Sequence, residues 1–373
     1  MDRGLGLYVH WPFCQAKCPY CDFNSHVAAS VDQPRWQDAY LKEIARVRED
    51  VGPCELSSMF FGGGTPSLMA AETVARLIEA AKGAWNPVND IEITLEANPT
   101  SVEADRFRAY AKAGVNRLSL GIQSLRDPDL NALGRLHTAA DAVAAYDIAR
   151  STFPNVSFDL IYARQNQAAA EWETELAEAL ELAADHVSLY QLTIEPGTAF
   201  GDRHAAGRLQ GLPDEDGSLD MFNITQDMTE AAGLPAYEVS NHARPGQESR
   251  HNLVYWRSGN WAGIGPGAHG RLTINGLRIA TECHSKPASW LDAVETTGNG
   301  YCQQYVVSED EARIEAVMAG LRLAEGVPAH LLAKYNNING LVDIGLLEYA
   351  SGLIRTTRLG RPLLDAILRE ILA

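Results

Sequence analysis

The stretch His10-Trp11-Pro12-Phe13-Cys14-Gln15-Ala16-Lys17-Cys18-Pro19-Tyr20-Cys21-Asp22-Phe23-Asn24-Ser25-His26 decides how the rest of the chain is read. Three of the six cysteines, Cys14, Cys18 and Cys21, fall within eight residues, and Cys54, Cys283 and Cys302 are scattered. A disulfide framework would not look like this. In a reducing compartment such a cluster points to metal or redox chemistry. Thiolates are the usual ligands of iron–sulfur clusters, and three cysteines on a four-iron cubane leave one iron open to another chelator. Zinc is the competing reading. It would need a fourth ligand from His10, His26 or Asp22, and zinc sites more often come as paired Cys-x2-Cys units.

The cysteines follow directly on a short β-rich run, Leu7 to His10. Comparable runs recur at Ser58 to Phe61, Ile91 to Glu96, Arg117 to Ile122, Val156 to Tyr162 and His186 to Leu192. Between them lie segments of helical periodicity, among them Gln37 to Val51, Ala70 to Ala84 and Trp172 to Ala184. Alternating strands and helices predict parallel strands joined by right-handed crossovers. Six such units give an α/β fold, a partial (β/α)6 barrel across residues 1–200, with its chemistry at the C-terminal ends of the strands.

The pattern changes after Pro196. Residues 201–305 read as loops and short strand-like pieces that extend the barrel, and Gly259, Gly263, Gly265, Gly267 and Gly270 crowd into twelve positions. Glycine at that density lets backbone approach a ligand or another chain, although tight turns explain it equally well. At Ser308, with Glu311 three residues on, a capping box opens a small, mostly helical C-terminal domain, residues 306–373, of the kind that can carry a β-wing.

Composition limits the functions available. Hydrophobic residues make up 46% and charged residues 21%, as in an ordinary globular protein. No run approaches 18 apolar residues, and the start carries no leader-like pattern, so the expected location is the cytoplasm. Asp and Glu outnumber Lys and Arg by 48 to 31, for a net charge of −17, which excludes general nucleic-acid binding.

Cys14-x3-Cys18-x2-Cys21 with Tyr20 before the third cysteine resembles the signature of radical S-adenosyl-L-methionine (SAM) proteins, where the amino and carboxylate groups of SAM chelate the open iron. The longer string from His10 to His26 resembles the branch related to oxygen-independent coproporphyrinogen III dehydrogenase, and within it the HemW-type haem chaperones. The similarity runs from Tyr8 into the C-terminal domain. It implies a radical SAM barrel with a 4Fe-4S cluster on Cys14, Cys18 and Cys21. It also implies SAM contacts from Tyr8, from Tyr20, from Gly63, Gly64 and Thr65 in the loop after the second strand, and from Glu96 at the end of the third. Gln123, Arg135 and Asp159 resemble family positions lining the SAM and second-ligand region. Taken singly, Glu96, Arg135 and Asp159 read equally well as barrel-mouth ion-pair residues. The family usually continues after Tyr162 with Gly-Leu-Pro, where this chain has Ala163-Arg164-Gln165.

Two activities share this pattern. The dehydrogenases resembled here carry a further cysteine two residues after the third and a long N-terminal extension. This chain has Phe23 at that position and thirteen residues before Cys14. The resemblance therefore implies a chaperone that binds haem and passes it to acceptor proteins such as membrane respiratory enzymes, with the dehydrogenase as the alternative. Haem needs an axial ligand and an apolar slot. His251-Asn252-Leu253-Val254-Tyr255-Trp256 offers an imidazole among aromatic rings and resembles the HNxxYW element of the HemW type, so His251 is the expected haem ligand. His242 and His269 are candidates for a second ligand.

Overall fold

Strict alternation along the six expected strands sets the two faces of one large sheet. In the computed structural model, which describes residues 4–100, 104–335 and 337–372, β1 (Leu5–Trp11) sends Leu5, Leu7, Val9 and Trp11 into the apolar core. Gly6, Tyr8 and His10 lie on the other face. Two-residue strands β2 (Phe13–Cys14) and β3 (His26–Val27) pair in parallel and bracket the cysteine loop. The same alternation recurs in β4 (Glu55–Gly63), β5 (Asn86–Ala97), β6 (Arg117–Gln123), β7 (Asn155–Tyr162) and β8 (His186–Gln191). Their apolar residues pack under helices, and Ser58, Glu92, Thr94, Glu96, Arg117, Ser119, Ser157, Asp159, His186 and Ser188 share the opposite, concave face. A sheet with that face turned inward encloses a polar lumen.

The crossover helices are α1 (Gln33–Val51), α2 (Ala71–Ala84), α3 (Phe107–Ala113), α4 (Asp127–Ala132), α5 (Ala139–Thr152) and α6 (Ala169–Leu182). Helix α1 starts four residues before its apolar period does, because Asp32 caps it by accepting from the Arg35 amide and a proline occupies its first turn. Its buried residues Trp36, Tyr40, Ile44 and Val47 face β1, and Gly52, at φ +75°, ends it. The Tyr40 hydroxyl donates to the His10 carbonyl at 2.6 Å, tying this helix to the strand that leads into the cysteines.

Residues 201–305 depart from the expected loops and short strands. They hold α7 (Ala199–Ala205), α8 (Glu215–Ala231), α9 (Arg250–Trp256) and α10 (Pro287–Thr297), together with β9 (Asn241–Ala243), β10 (Asn260–Ile264), β11 (His269–Ile274), β12 (Leu277–Cys283) and β13 (Tyr301–Val306). Helix α8 hides from a periodicity reading because its buried face includes Thr225 and Thr229, whose hydroxyls bond back to the carbonyls of Met221 and Thr225. Strand β10 pairs in parallel with β1 and adds a seventh parallel strand. The sheet runs β13-β12-β11-β10-β1-β4-β5-β6-β7-β8-β9, with neither end strand paired to the other. It is an open barrel. The glycine-rich run serves this packing: a Cβ on Gly263 would stand 2.2 Å from the His269 carbonyl oxygen, and one on Gly265 2.4 Å from that of His10.

The C-terminal unit has its own apolar core, from Val317 to Ile371. It is built from α11 (Glu309–Gly320), β14 (Val327–Pro328), α12 (Ala329–Leu332), α13 (Ile338–Asp343), β15 (Leu347–Ala350), β16 (Leu353–Thr356) and α14 (Leu364–Leu372). The Ser308–Glu311 capping box is present. The strands form a three-stranded sheet, β14-β16-β15, whose hairpin turns at Ser351-Gly352 with both residues at positive φ.

Candidate functional site

Each thiol of the cysteine loop has a polar neighbour. Thr65 Oγ1 donates to Cys14 Sγ at 3.4 Å, Arg135 Nη1 to Cys18 Sγ at 3.4 Å, and Ser25 Oγ lies 3.8 Å from Cys21 Sγ. Donors aimed at sulfur stabilise thiolate, against the burial that raises Cys14 and Cys21 above their ordinary values. The Gly64 and Thr65 amides bond the Trp11 and Phe13 carbonyls, and a Cβ on Gly64 would come 3.0 Å from Cys14 Sγ and 2.8 Å from Phe13 O. Only glycine allows this approach. Asn24 anchors the far side of the loop, donating to Pro266 O and Ser285 O at 2.9 Å.

The candidate fourth zinc ligand His10 is buried and committed: Nε2 donates to Asn24 O at 2.9 Å and Nδ1 accepts from the Tyr8 hydroxyl at 3.0 Å. The His26 ring likewise lies on Asn24 Oδ1. Among the described residues no three His, Cys, Asp or Glu side chains converge on a single ion. The three thiols lie near enough to act on one another electrostatically, and three sulfur donors on one loop suit a multi-iron cluster with one open iron.

Behind the cysteines the lumen gathers the other expected residues. Arg135 Nη2 donates to Asn98 Oδ1 at 2.6 Å and to Gly121 O at 2.8 Å, and Asn98 in turn donates to Thr65. Tyr20 is within hydrogen-bonding range of Cys18 and Arg135. Gln123 ends β6 at φ +73° and stands over Gly121, where a Cβ would meet its amide nitrogen at 2.8 Å. Gly63, at φ +112°, presses on the His10 ring and donates its amide to Glu96 Oε2 at 3.2 Å. Burial, then the nearby Asp159, push Glu96 up to about 8; burial pushes Asp159 up to about 6 against bonds from Ser188 and Ser119. Two buried polar atoms, Arg135 Nε and Thr94 Oγ1 on the lumen face of β5, have no partner. This is a lined space for a ligand with cationic and hydroxyl groups.

His251 sits at the opposite end of the lumen. It is fully buried on α9, with Nδ1 2.8 Å from Ser58 Oγ and Nε2 2.6 Å from the Tyr255 hydroxyl. Its ring stacks on Phe60 at 5.2 Å and leans toward Tyr8 at 6.4 Å, and burial alone drives its pKa down to about 3. Both nitrogens are taken, so in this conformation His251 offers iron no lone pair, contrary to a ready-made ligand. His242 on β9 is wholly buried with neither nitrogen bonded, and His269 on β11 is exposed.

The radical SAM superfamily model matches residues 8–177. The heme chaperone HemW of Haemophilus influenzae is 39% identical over 93% of this chain and 90% of its own length. The chain belongs to the radical SAM superfamily, in the HemW branch. The HemW of Escherichia coli is 35% identical over 99% of this chain and 98% of its own, and a mitochondrial relative from Bos taurus, radical S-adenosyl methionine domain-containing protein 1, is 37% identical over the whole chain and 88% of its own. The solved coproporphyrinogen III oxidase HemN of E. coli, described as a radical SAM enzyme, shares the fold with a TM-score of 0.81 at 22% identity, over 99% of this chain and 90% of that one. A 4Fe-4S cluster, SAM and haem are the cofactors of this family setting.

The thiols with their donors and the lined lumen fit a cluster and SAM, whereas His251 as it stands is engaged at both nitrogens. Sequence reasoning overlooked Asn98, which couples Arg135 to Thr65, and the pair Ser58 and Tyr255 that occupies His251. Asn98 lies two residues after Glu96, just past the end of the same strand, and Tyr255 is one turn after His251 on its helix; Ser58 had no signal, because its contact crosses 193 positions. No helix among the described residues is long and apolar enough to cross a membrane.

Glu96 gives the site a pH dependence. A carboxyl raised from its usual 4.5 to about 8 contributes stability to the ligand-free fold below the lower value, and loses it as pH rises toward the upper. A cationic ligand group needs the carboxylate. SAM affinity is therefore expected to rise by about tenfold or more from about pH 6 to about pH 7.5. Titration calorimetry of wild type and Glu96→Gln checks it; an equally steep rise in the variant would assign the proton elsewhere.

Proposed function

We propose that this protein binds haem and hands it to haem-requiring proteins, membrane respiratory enzymes among them, in the cytoplasm. Its cluster is held by Cys14, Cys18 and Cys21. SAM, when bound, completes the open iron with its amino and carboxylate groups against Tyr8, Tyr20, Gly63, Gly64, Thr65, Glu96, Gln123, Arg135 and Asp159. One observation carries the reading: the HNxxYW histidine and the cysteine loop share one lumen, bridged by Tyr8, which bonds His10 at one end and leans on His251 at the other. Residues 1–200 hold the cofactors, 201–305 supply the haem segment, and 306–373 form the C-terminal domain. The relatives named heme chaperone HemW align over nearly all of this arrangement, and Phe23, 59% exposed, stands where the dehydrogenases have another cysteine.

Haem titration of the cluster-loaded protein tests it. His251→Ala is expected to lose the histidine-type Soret band of the wild type, and an identical spectrum would remove His251 as the ligand. Release of 5′-deoxyadenosine with conversion of coproporphyrinogen III would replace the chaperone with the dehydrogenase.

A further inference from the structure

Helix α9, which carries His251, is gripped along its length by residues of the C-terminal domain or by groups bonded to it. Trp256 lies beneath the Arg322 guanidinium, 4.6 Å from its ring centroid. Arg322 Nη2 donates at 3.2 Å to Glu238, a buried carboxylate whose other oxygen accepts from Asn241 and from the Ser240 amide. Arg361 holds the Arg322 carbonyl at 2.8 Å. One residue further, Arg257 makes a two-pronged pair with Glu325 at 2.7 and 2.8 Å. At the other end the Ser249 amide, in the helix cap, meets the Tyr237 hydroxyl, and the Tyr237 carbonyl accepts from the Ala324 amide at 2.9 Å. The segment 322–325 therefore touches the C-terminal end of the helix that carries His251 and is linked through Tyr237 to its N-terminal cap.

Iron can reach His251 only if α9 carries the imidazole off Ser58 Oγ and away from Phe60, while the bond to Tyr255, internal to α9, travels with the helix. Trp256 rides on the same short helix, so a movement of α9 that carries His251 off Ser58 must also pull Trp256 from under Arg322. We propose that the C-terminal domain is a clamp on α9, and that its contacts through Arg322 and Glu325 govern whether His251 is available to haem. The proposal rests on the reading of His251 as the haem ligand. Loading then needs the clamp open, and reclosure restores the Ser58–His251 bond and favours release of haem to an acceptor. When a binding-competent state is sparsely populated, apparent affinity falls by that population, so loosening the clamp tightens binding.

The test is haemin titration and stopped-flow binding on the full-length, cluster-loaded protein, with hydrogen exchange of amides 250–256 as a readout independent of haem. Arg322→Ala is expected to bind haemin about tenfold more tightly and faster, with the wild-type Soret shape, and to exchange faster over 250–256. Should that variant fail to fold, Arg257→Gln, at the surface pair, carries the same test with an expected gain of about threefold. In the His251→Ala background the gain is expected to vanish, since it acts through that ligand. A folded variant with unchanged haemin affinity and rate overturns the clamp while leaving His251 as ligand; so does a gain that persists without His251. If His251→Ala itself binds haemin as wild type does, the ligand reading falls and the clamp with it.

Discussion

Cys18→Ser is expected to leave the protein colourless after anaerobic reconstitution, with bound iron falling from about four per chain to near zero. Cys18 is the middle thiol of a loop that has no spare one: Cys54, Cys283 and Cys302 belong to other parts of the fold, and position 23 is Phe. The substitution also removes the sulfur that Arg135 and Tyr20 address. Arg135 would then face the lumen with its bonds to Asn98 and Gly121 only. Iron and sulfide assays, with the broad absorbance near ~400 nm of cysteine-ligated clusters, measure the loss. Cys302→Ser, at an exposed position on β13, is the control and is expected to keep full iron. A brown Cys18→Ser protein would mean that the cluster sits on a different ligand set.

Arg164→Ala is expected to destabilise the fold by about 3–5 kcal/mol. Arg164 is buried where the family usually has Leu of Gly-Leu-Pro. Its guanidinium donates to Glu175 Oε2 at 2.5 Å, to Asp129 Oδ2 at 2.7 Å and to the Ile161 carbonyl at 2.5 Å. Glu175, 1% exposed, also accepts from Ser124 Oγ and the Leu125 amide at 2.7 Å. Removing the arginine strands that carboxylate without a counter-charge, the costly half of breaking a buried pair. An Arg164→Leu, Glu175→Leu double substitution is expected to recover part of the loss, because neither charge is then left alone. Denaturant midpoints of the three proteins measure it, and an Arg164→Ala midpoint within error of wild type would remove the network from the account of stability.

This network also holds the turn after Tyr162, where the family resemblance leads one to expect Gly-Leu-Pro. Ala163 adopts φ +56°, a left-handed conformation that glycine takes freely and alanine does not. The bonds of Arg164 from β7 to α4 and α6 hold that strained turn, and α4 leads directly into Gly134 and Arg135. The residues after Asp159 thus brace the turn under the lumen while Asp159 stays in it.

The parts legible in the sequence were those whose signal is local. Six strands and three helices followed from periods of two and 3.6, and the capping box at Ser308 followed from spacing alone. Helix α8 escaped because threonines supply part of its buried face, and the glycine run around Gly263 proved to serve strand packing. The seventh parallel strand escaped because β10 joins β1 across most of the chain, and strand order is not encoded in any window of residues.

The order of amino acids by itself determined the cofactor end of the protein, since three thiols on one eight-residue loop are brought together by chain connectivity whatever the rest does. Tertiary structure alone decided the other end. Whether His251 is free or engaged depends on Ser58 and on the stacking of Phe60, both distant in sequence, and the grip on its helix comes from a domain whose core forms separately. Ligand sets that are contiguous survive any packing, whereas the state of a buried imidazole is set by what the fold places against both of its nitrogens.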